Sequence, residues 1–294
     1  MERYNSNFLL IIIFCLSAIL SSTFAAETAE TAECGVINAD QFNNKHKVAQ
    51  IDEFPWMAKI AYRNTKTSKT TFACHAVLVS QQQLLTTAHC LSEMSLKPYA
   101  VLLGDWNSSN NFTEADCDEV SGKCFTPILI DIEKFVRHPM ADGVEKNDDI
   151  GMLLLTQKVT YSDYIRPICL PGNDVIANAF ETKQLTLGGW LMKNPGVKQK
   201  LSVSISNQED CRKQYEKLRH TKITDSHMCA NSCEDGLSYL SAAALMDIVD
   251  QESKPHNVYL AGLLSFGAKN CAKDTPDVFT RVDRYLDWIK ENMN

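Results

Sequence analysis

Residues 74–90 read CHAVLVSQQQLLTTAHC, and this stretch decides the fold. It contains two runs of β-type residues, 76–79 and 83–86, separated by a short polar turn. Runs of this kind, bounded by polar turns, are typical of antiparallel strands. The stretch therefore predicts two consecutive β-strands, followed by a histidine, His89, that stands next to a cysteine.

Similar runs recur along most of the chain at the spacing of an antiparallel barrel or sandwich. They are residues 54–62, 100–103, 128–135, 151–155, 185–187, 201–205, 259–265 and 278–282. Two stretches have helical character instead: 210–219 is polar and charged, and 284–293 carries one apolar face. We therefore expect an all-β chain with a helix at its C-terminus.

The N-terminus has the pattern of a signal peptide. Arg3 precedes an apolar run, 8–20, that is too short to span a bilayer, and small residues follow it. We expect residues 1–25 to be removed and the product to be secreted, extracellular and not attached to a membrane.

Composition narrows the function classes further. The net charge of −7 is spread along the chain without a basic block, which argues against nucleic-acid binding. Of the 11 cysteines, Cys15 leaves with the signal peptide, and an even number remains. An even number in an oxidising compartment predicts disulfides. A zinc site is the alternative, but the spacings lack paired Cys-x-x-Cys motifs, so we expect no metal and no cofactor.

Four segments, in order, resemble the chymotrypsin/trypsin family of serine peptidases. Residues 74–90 are similar to the family's Cys-Gly-Gly-Ser-Leu-Ile strand and Thr-Ala-Ala-His-Cys motif, and 147–155 to its Asn-Asp-Ile-Ala-Leu-Leu. The other two segments are 165–171 and 262–289. The resemblance implies two six-stranded antiparallel β-barrels and a C-terminal helix.

That domain is expected to cover residues 48–294, after an N-terminal segment, 26–47, that Cys34 tethers. Residues 54–57 and the loop closed by Cys117 and Cys124 resemble the clip-domain group of the family. Too few residues precede Cys34 for a clip domain itself, so we expect none.

The resemblance also implies a partner for every remaining cysteine. The implied pairs are Cys34–Cys169, Cys74–Cys90, Cys117–Cys124, Cys211–Cys229 and Cys233–Cys271. The loop that precedes Cys117 carries two sequons, at Asn107 and Asn111. We expect N-glycosylation there, without a catalytic role.

The catalytic residues carry over from the family's own triad of serine, histidine and aspartate. His89 stands at the general-base position and Asp149 at the position that orients the base. The structural alternative is a core histidine beside a disulfide and an aspartate in a turn. Residues 233–246 read CEDGLSYLSAAALM where the family has Cys-x-Gly-Asp-Ser-Gly-Gly-Pro-Leu. Alignment from Leu245 places Ser241 at the nucleophile, and Ser238 is a poorer match in this longer segment.

Around Ser241 the family pattern breaks. Tyr239, Leu240 and Ala242 replace Gly, Asp and Gly. A tyrosine adopts glycine-like backbone conformations only at a cost, which endangers one oxyanion-hole donor. Leu240 cannot accept the charge of the new N-terminus that activates family members. That N-terminus is missing too, because residues 42–46 read FNNKH where Arg or Lys and Ile-Val-Gly-Gly are expected.

The substrate pocket is expected to involve Asp235, Ser265, Gly267 and Asp277. A gap-free count from Ser241 places Asp235 at the pocket base, although Cys233 is then two residues out of step. Asp277 replaces a family glycine. Its carboxylate either projects into the pocket or blocks the pocket; the alternative is that Asp277 is a solvated loop residue.

These departures predict a secreted homologue with impaired catalysis. By resemblance to the clip-domain group, its partners are extracellular proteins, proteases or their zymogens, in an immune or developmental cascade. The alternative is an active serine endopeptidase that uses His89, Asp149 and Ser241. A third hypothesis is a structural or carrier role for the barrel.

Overall fold

The computed structural model describes residues 34–92, 95–143, 146–172, 184–193, 196–219, 222–232, 238–249, 256–267 and 275–293. The predicted signal peptide, the predicted pocket residue Asp235 and the predicted pair Cys233–Cys271 lie outside the described residues.

Most of the described chain is strand. The strands are β1 Val36–Ile37, β2 Met57–Asn64, β3 Thr70–Leu78, β4 Gln83–Thr86, β5 Leu96–Leu103, β6 Asp116–Asp118, β7 Lys123–Phe125, β8 Ile128–Arg137, β9 Gly151–Leu155, β10 Gln184–Gly189, β11 Gln199–Ser204, β12 His227–Ala230, β13 Ala244–Val249, β14 His256–Phe266 and β15 Asp277–Arg281. The helices are α1 Ala39–Asn43, α2 Gln208–Arg219 and α3 Leu286–Asn292, with 3₁₀ turns at Ala88–Leu91 and Val282–Tyr285.

The first half of the chain forms a closed barrel in the order β2-β3-β4-β9-β8-β5. The predicted runs at 76–79 and 83–86 pair as neighbours, with Val77 opposite Leu85. Closure pairs every strand on both edges and turns one side-chain row inward. Ile60, Val101 and Leu153 are among the fully buried residues that result.

The second half forms a sheet in the order β11-β10-β13-β14-β15-β12, with β1 added on β14. An antiparallel bridge between Ile205 and Ala230 joins the two ends of this path. The expected all-β fold, with two six-stranded antiparallel barrels and a C-terminal helix, is therefore confirmed.

One apolar core connects the barrels. Trp56, directly before β2, is fully buried, and its indole Nε1 donates to Met246 Sδ on β13 at 3.2 Å. The α3 helix adds Ile289 to the same cluster. Among the described helices, none has the length and apolar character needed to cross a membrane.

Four of the five implied disulfides form within the described residues. They are Cys34–Cys169, Cys74–Cys90, Cys117–Cys124 and Cys211–Cys229. Cys34–Cys169 attaches the N-terminal segment to the second barrel, and β1 pairs with β14 beside it. In the chain-entropy model a disulfide stabilises a fold by a few kcal/mol.

The two predicted glycosylation sites differ in exposure. Asn111 and Thr113 are exposed, and Asn111 Oδ1 accepts a hydrogen bond from Thr113 N at 3.3 Å. Asn107 is half-buried, and its backbone N–H donates to the buried Asp116 at 2.8 Å. Asn111 is therefore the more accessible of the two predicted acceptors.

Candidate active site

His89 and Asp149 meet where β4 and β9 run side by side. His89 lies on the 3₁₀ turn that follows β4, and Asp149 lies just before β9. Because Thr86 pairs with Gly151, both residues emerge at the same end of the first barrel. His89 Nδ1 lies 2.7 Å from Asp149 Oδ2, and His89 N donates to Oδ1 at 2.8 Å.

The second barrel completes the hydrogen bonding of Asp149. Ser265 Oγ on β14 donates to Oδ2, and Thr280 Oγ1 on β15 donates to the backbone oxygen at 3.0 Å. Burial would raise the pKa of Asp149, but the hydrogen bonds from His89 and Ser265 and the charge of His89 hold it below its ordinary value. The carboxylate is thus ionised and accepts a hydrogen bond from Nδ1–H of His89, which fixes the orientation of the ring. The hydroxyl of Ser265, which the sequence assigned to the pocket, serves this carboxylate.

Ser241 lies at the junction of the two barrels. Its backbone oxygen accepts a hydrogen bond from His75 N at 2.8 Å, beside a parallel bridge to Cys74. The Cys74–Cys90 disulfide brings this strand next to the turn that carries His89. Both side chains are described, and no hydrogen bond joins His89 to the Ser241 hydroxyl. His89 Nε2 lies 3.8 Å from Cys90 Sγ instead.

The residues before Ser241 pair with the end of β10. Tyr239 lies opposite Leu191 in an antiparallel bridge, and Leu240 N donates to the backbone oxygen of Trp190 at 3.0 Å. Tyr239 is not among the described non-glycine residues with positive φ. Ala242, the other glycine replacement, is among them, at φ 60°.

Leu240 packs its half-buried side chain against the apolar core. Its N–H and its carbonyl oxygen are both engaged: the N–H bonds Trp190, and the oxygen lies 3.1 Å from His75 Nδ1. A leucine here contributes no acceptor for a buried cation, which agrees with what the sequence indicates.

Asp277 is the first residue of β15 and lies beside Gly267, another residue that the sequence analysis assigns to the pocket. Its Oδ2 accepts from Ser232 Oγ, and a Cβ added to Gly267 would collide with its Oδ1. Burial raises the pKa of Asp277, and the Ser232 hydrogen bond acts against that shift. The side chain therefore fills the space beside Gly267 and is not a solvated loop residue.

The segment at the expected activation site is folded. Helix α1 begins with a capping box, in which Gln41 N donates to Asn38 Oδ1 and Asn38 N to Gln41 Oε1, both at 2.9 Å. The backbone oxygen of Asn44 then accepts from Lys200 Nζ at 2.7 Å, and Lys200 is also paired with the buried Glu53. A capping box satisfies helix-end donors and stabilises the helix start.

Sequence reasoning missed one residue of this site, His75. The sequence assigns it no role, yet its ring is fully buried against Leu240, Ser241 and Trp190. The signal was a histidine where the resembled strand has a glycine.

Within the described residues, one group of side chains has the atom types of metal ligands, but it cannot hold an ion. His89, Cys74 and Cys90 lie close together, but the two sulfurs are bonded to each other and are unavailable to an ion.

Comparisons with known proteins agree with this geometry. The Trypsin family model matches residues 44–289. The chain is 31% identical over 278 residues to the Spaetzle-processing enzyme of Drosophila melanogaster, covering 88% of this chain and 68% of that one. It is 33% identical over 271 residues to the CLIP domain-containing serine protease HP8 of Bombyx mori, covering 87% and 70%.

Among solved structures, the drosophila Grass clip serine protease of the Toll pathway superposes with a TM-score of 0.74 at 23% identity, covering 90% of this chain and 76% of that one. That likeness concerns the fold. The family match over most of the chain, with the two barrels and the His89–Asp149 pair, shows that the chain belongs to the trypsin family.

Proposed function

We propose that this trypsin-family chain has impaired catalysis and acts as a binding or regulatory partner of extracellular proteases or their zymogens. The observation that carries the proposal is Leu240, whose half-buried apolar side chain packs against the core directly before Ser241. In family members the new N-terminal ammonium pairs with a carboxylate at this position, and this chain has none there. Burying an unpaired ammonium is strongly unfavourable.

The folded N-terminal segment supports the same proposal. Its capped helix α1 occupies the place of the expected scissile bond, and residue 42 is a phenylalanine instead of Arg or Lys. Proteases bind their substrates as extended chains that add to a sheet edge, so a hydrogen-bonded helix is a poor substrate.

Asp277 supports impaired substrate binding. Its carboxylate lies against Gly267 and is held there by Ser232. A side chain in that space narrows the entrance that the resemblance predicts for a substrate residue.

The relatives suggest the setting. They include a Spaetzle-processing enzyme and CLIP domain-containing proteases, and a similar fold belongs to a protease of the Toll pathway. We propose a place in an extracellular protease cascade, secretion directed by residues 1–25, and a mature domain over 48–294. Four disulfides in the described residues suit an oxidising compartment.

The test is covalent labelling of the mature secreted protein with a fluorophosphonate, together with hydrolysis of arginyl peptide substrates. We expect no labelling and no turnover, while an active trypsin-family protease labels under the same conditions. Labelling that disappears in the Ser241→Ala variant would overturn the proposal. Binding of clip-domain protease zymogens, measured by surface plasmon resonance, is expected to be the same for the wild type and for Ser241→Ala.

An active endopeptidase is the second candidate. The ionised Asp149, bonded to His89 and Ser265, is the observation that favours it. If the labelling experiment modifies Ser241, this candidate replaces the first.

A further inference from the structure

The ring of His75 is enclosed between the two barrels. His75 lies on β3 and is fully buried, and its side chain points toward the segment around Ser241. Nδ1 lies 3.1 Å from the backbone oxygens of both Leu240 and Ser241. On the other side of the ring, Trp190 N donates to Nε2 at 2.8 Å.

These contacts determine the tautomer of the imidazole. A backbone N–H can only donate, so Nε2 must be an unprotonated acceptor. Backbone oxygens can only accept, so Nδ1 must carry the proton that it shares between Leu240 and Ser241. The ring is therefore neutral, and either the other tautomer or the imidazolium would lose the Trp190 hydrogen bond.

The neighbouring residues pack closely around the ring. The indole of Trp190 stacks on it with ring centroids 5.6 Å apart at 20°. A Cβ added to Gly189 would lie 2.7 Å from Nε2, so only a glycine permits the approach. In a close-packed interior such a ring is held in a single orientation.

We propose that His75 is a positioning residue: its neutral, Nδ1-protonated imidazole links Trp190, directly after β10, to the Leu240–Ser241 backbone. It thereby fixes the conformation of residues 238–243, the Ser241 segment. This link is internal to the chain and requires no cleavage. It is independent of the proposed function, because it determines where Ser241 lies whether or not that serine reacts.

The charged groups around the ring favour the neutral form. Lys59 on β2 is the cross-strand neighbour of His75, and its Nζ forms a salt bridge with the buried Asp105 at 2.7 Å. Lys59 and Lys198 also place their ammonium groups 5.1 and 5.9 Å from the Trp190 ring centroid. Burial lowers the pKa of His75 to about 4; the carbonyls of Ser241 and Leu240 oppose this shift, and the charge of Lys59 adds to it.

The first test is the ¹⁵N NMR spectrum of the ring in the wild-type protein. We expect His75 to show a protonated Nδ1 and an unprotonated Nε2 at pH 7, with coupling across the hydrogen bond from Trp190 N to Nε2. A protonated Nε2 at pH 7 would overturn the proposal.

The second test compares two equivalent substitutions by amide hydrogen exchange. His75→Phe keeps an aromatic ring, larger than the imidazole, next to Trp190 but removes both nitrogens; His227→Phe makes the same change in volume elsewhere. The Leu240 amide donates to the oxygen of Trp190, and the Met192 amide donates to the oxygen of Ser238. We expect both amides to exchange at least tenfold faster in His75→Phe, while the exchange rates of the amides in β2 and β5 stay unchanged.

The control is His227→Phe, at a second buried histidine whose Nε2 lies 3.2 Å from the oxygen of Lys146. It is expected to leave the Leu240 and Met192 amides unchanged. Equal acceleration in both variants, uniform acceleration along the chain, or no acceleration in His75→Phe would each overturn the proposal. If His75→Phe does not fold, the NMR tautomer of the wild type decides.

Discussion

The two halves of the candidate site are stabilised in different ways. Asp149 and His89 are connected by polar side-chain hydrogen bonds from both barrels, with Ser265 and Thr280 adding donors. The Ser241 segment is held by backbone pairing with Trp190 and Leu191, by apolar packing of Leu240, and by one imidazole.

This difference shows why an intact His–Asp pair is weak evidence for catalysis. Asp149 is almost completely buried, so its charge must be hydrogen-bonded wherever the chain folds this way. The same contacts thus satisfy a requirement of folding. The described residues around Ser241, 238–243, carry no charged side chain, so they can change without leaving a buried charge unpaired.

The largest expected effect is on the polar half. Asp149→Ala leaves the donors of His89 and Ser265 without an acceptor, so the free energy of unfolding should fall by about 3–5 kcal/mol. Urea denaturation at pH 7 measures it. Asp131→Ala, at an exposed position on β8, is the control and should change stability by less than about 0.5 kcal/mol. A loss below about 1 kcal/mol for Asp149→Ala would remove the distinction between the halves.

The pH dependence of stability distinguishes the two halves, because His75 and Asp149 titrate in different pH ranges. The pKa of His75 is lower in the folded state, about 4, than its ordinary 6.5, so its stabilisation is complete above pH 6.5 and is lost as the pH falls toward 4. The loss is on the order of 3 kcal/mol. Asp149 has a lowered pKa, so its contribution is lost only below pH 3.8.

The measurement is urea unfolding of the wild type and His75→Phe between pH 4 and 7. Burial also lowers the pKa of His227, so only the difference between the two proteins reports on His75. Their stability difference should shrink as the pH falls. Parallel curves would mean that His75 is not the neutral link between Trp190 and Ser241.

The smallest expected effect is a difference in stability between two variants at position 240, next to Ser241. Leu240→Asp and Leu240→Asn differ only in charge, and no cation is expected to meet position 240. At pH 7 the aspartate variant should be less stable than the asparagine variant by at least about 1 kcal/mol, and acid should close the gap. Equal stabilities in urea at pH 7 would mean that a charge is tolerated at position 240 and would contradict the comparison.

The sequence carried enough information for the fold, because the motif around residues 74–90 and the later segments occur in a specific order. The resemblance also implied the His89–Asp149 pair, since both residues lie in segments that match motifs of the family, and the contact is present. The hydrogen bond from Ser265 to Asp149 was not foreseen, because it joins residues 116 positions apart through the packing of the barrels.

The role of His75 was also out of reach. Its ring contacts Leu240, which is 165 positions away, and nothing near His75 in the chain indicates that contact. The backbone of Tyr239 was expected to carry the strain of the replaced glycines. The positive φ lies at Ala242 instead. A left-handed backbone conformation costs less for the small side chain of alanine than for a bulky one.

The Cys34–Cys169 disulfide has a consequence for any protease that attacks this molecule. If the exposed bonds around Lys45 and His46 were cut, the released segment would remain covalently attached to the second barrel. A nicked molecule would then run at the same mass as the intact one on a non-reducing gel. Only reduction would separate the two pieces.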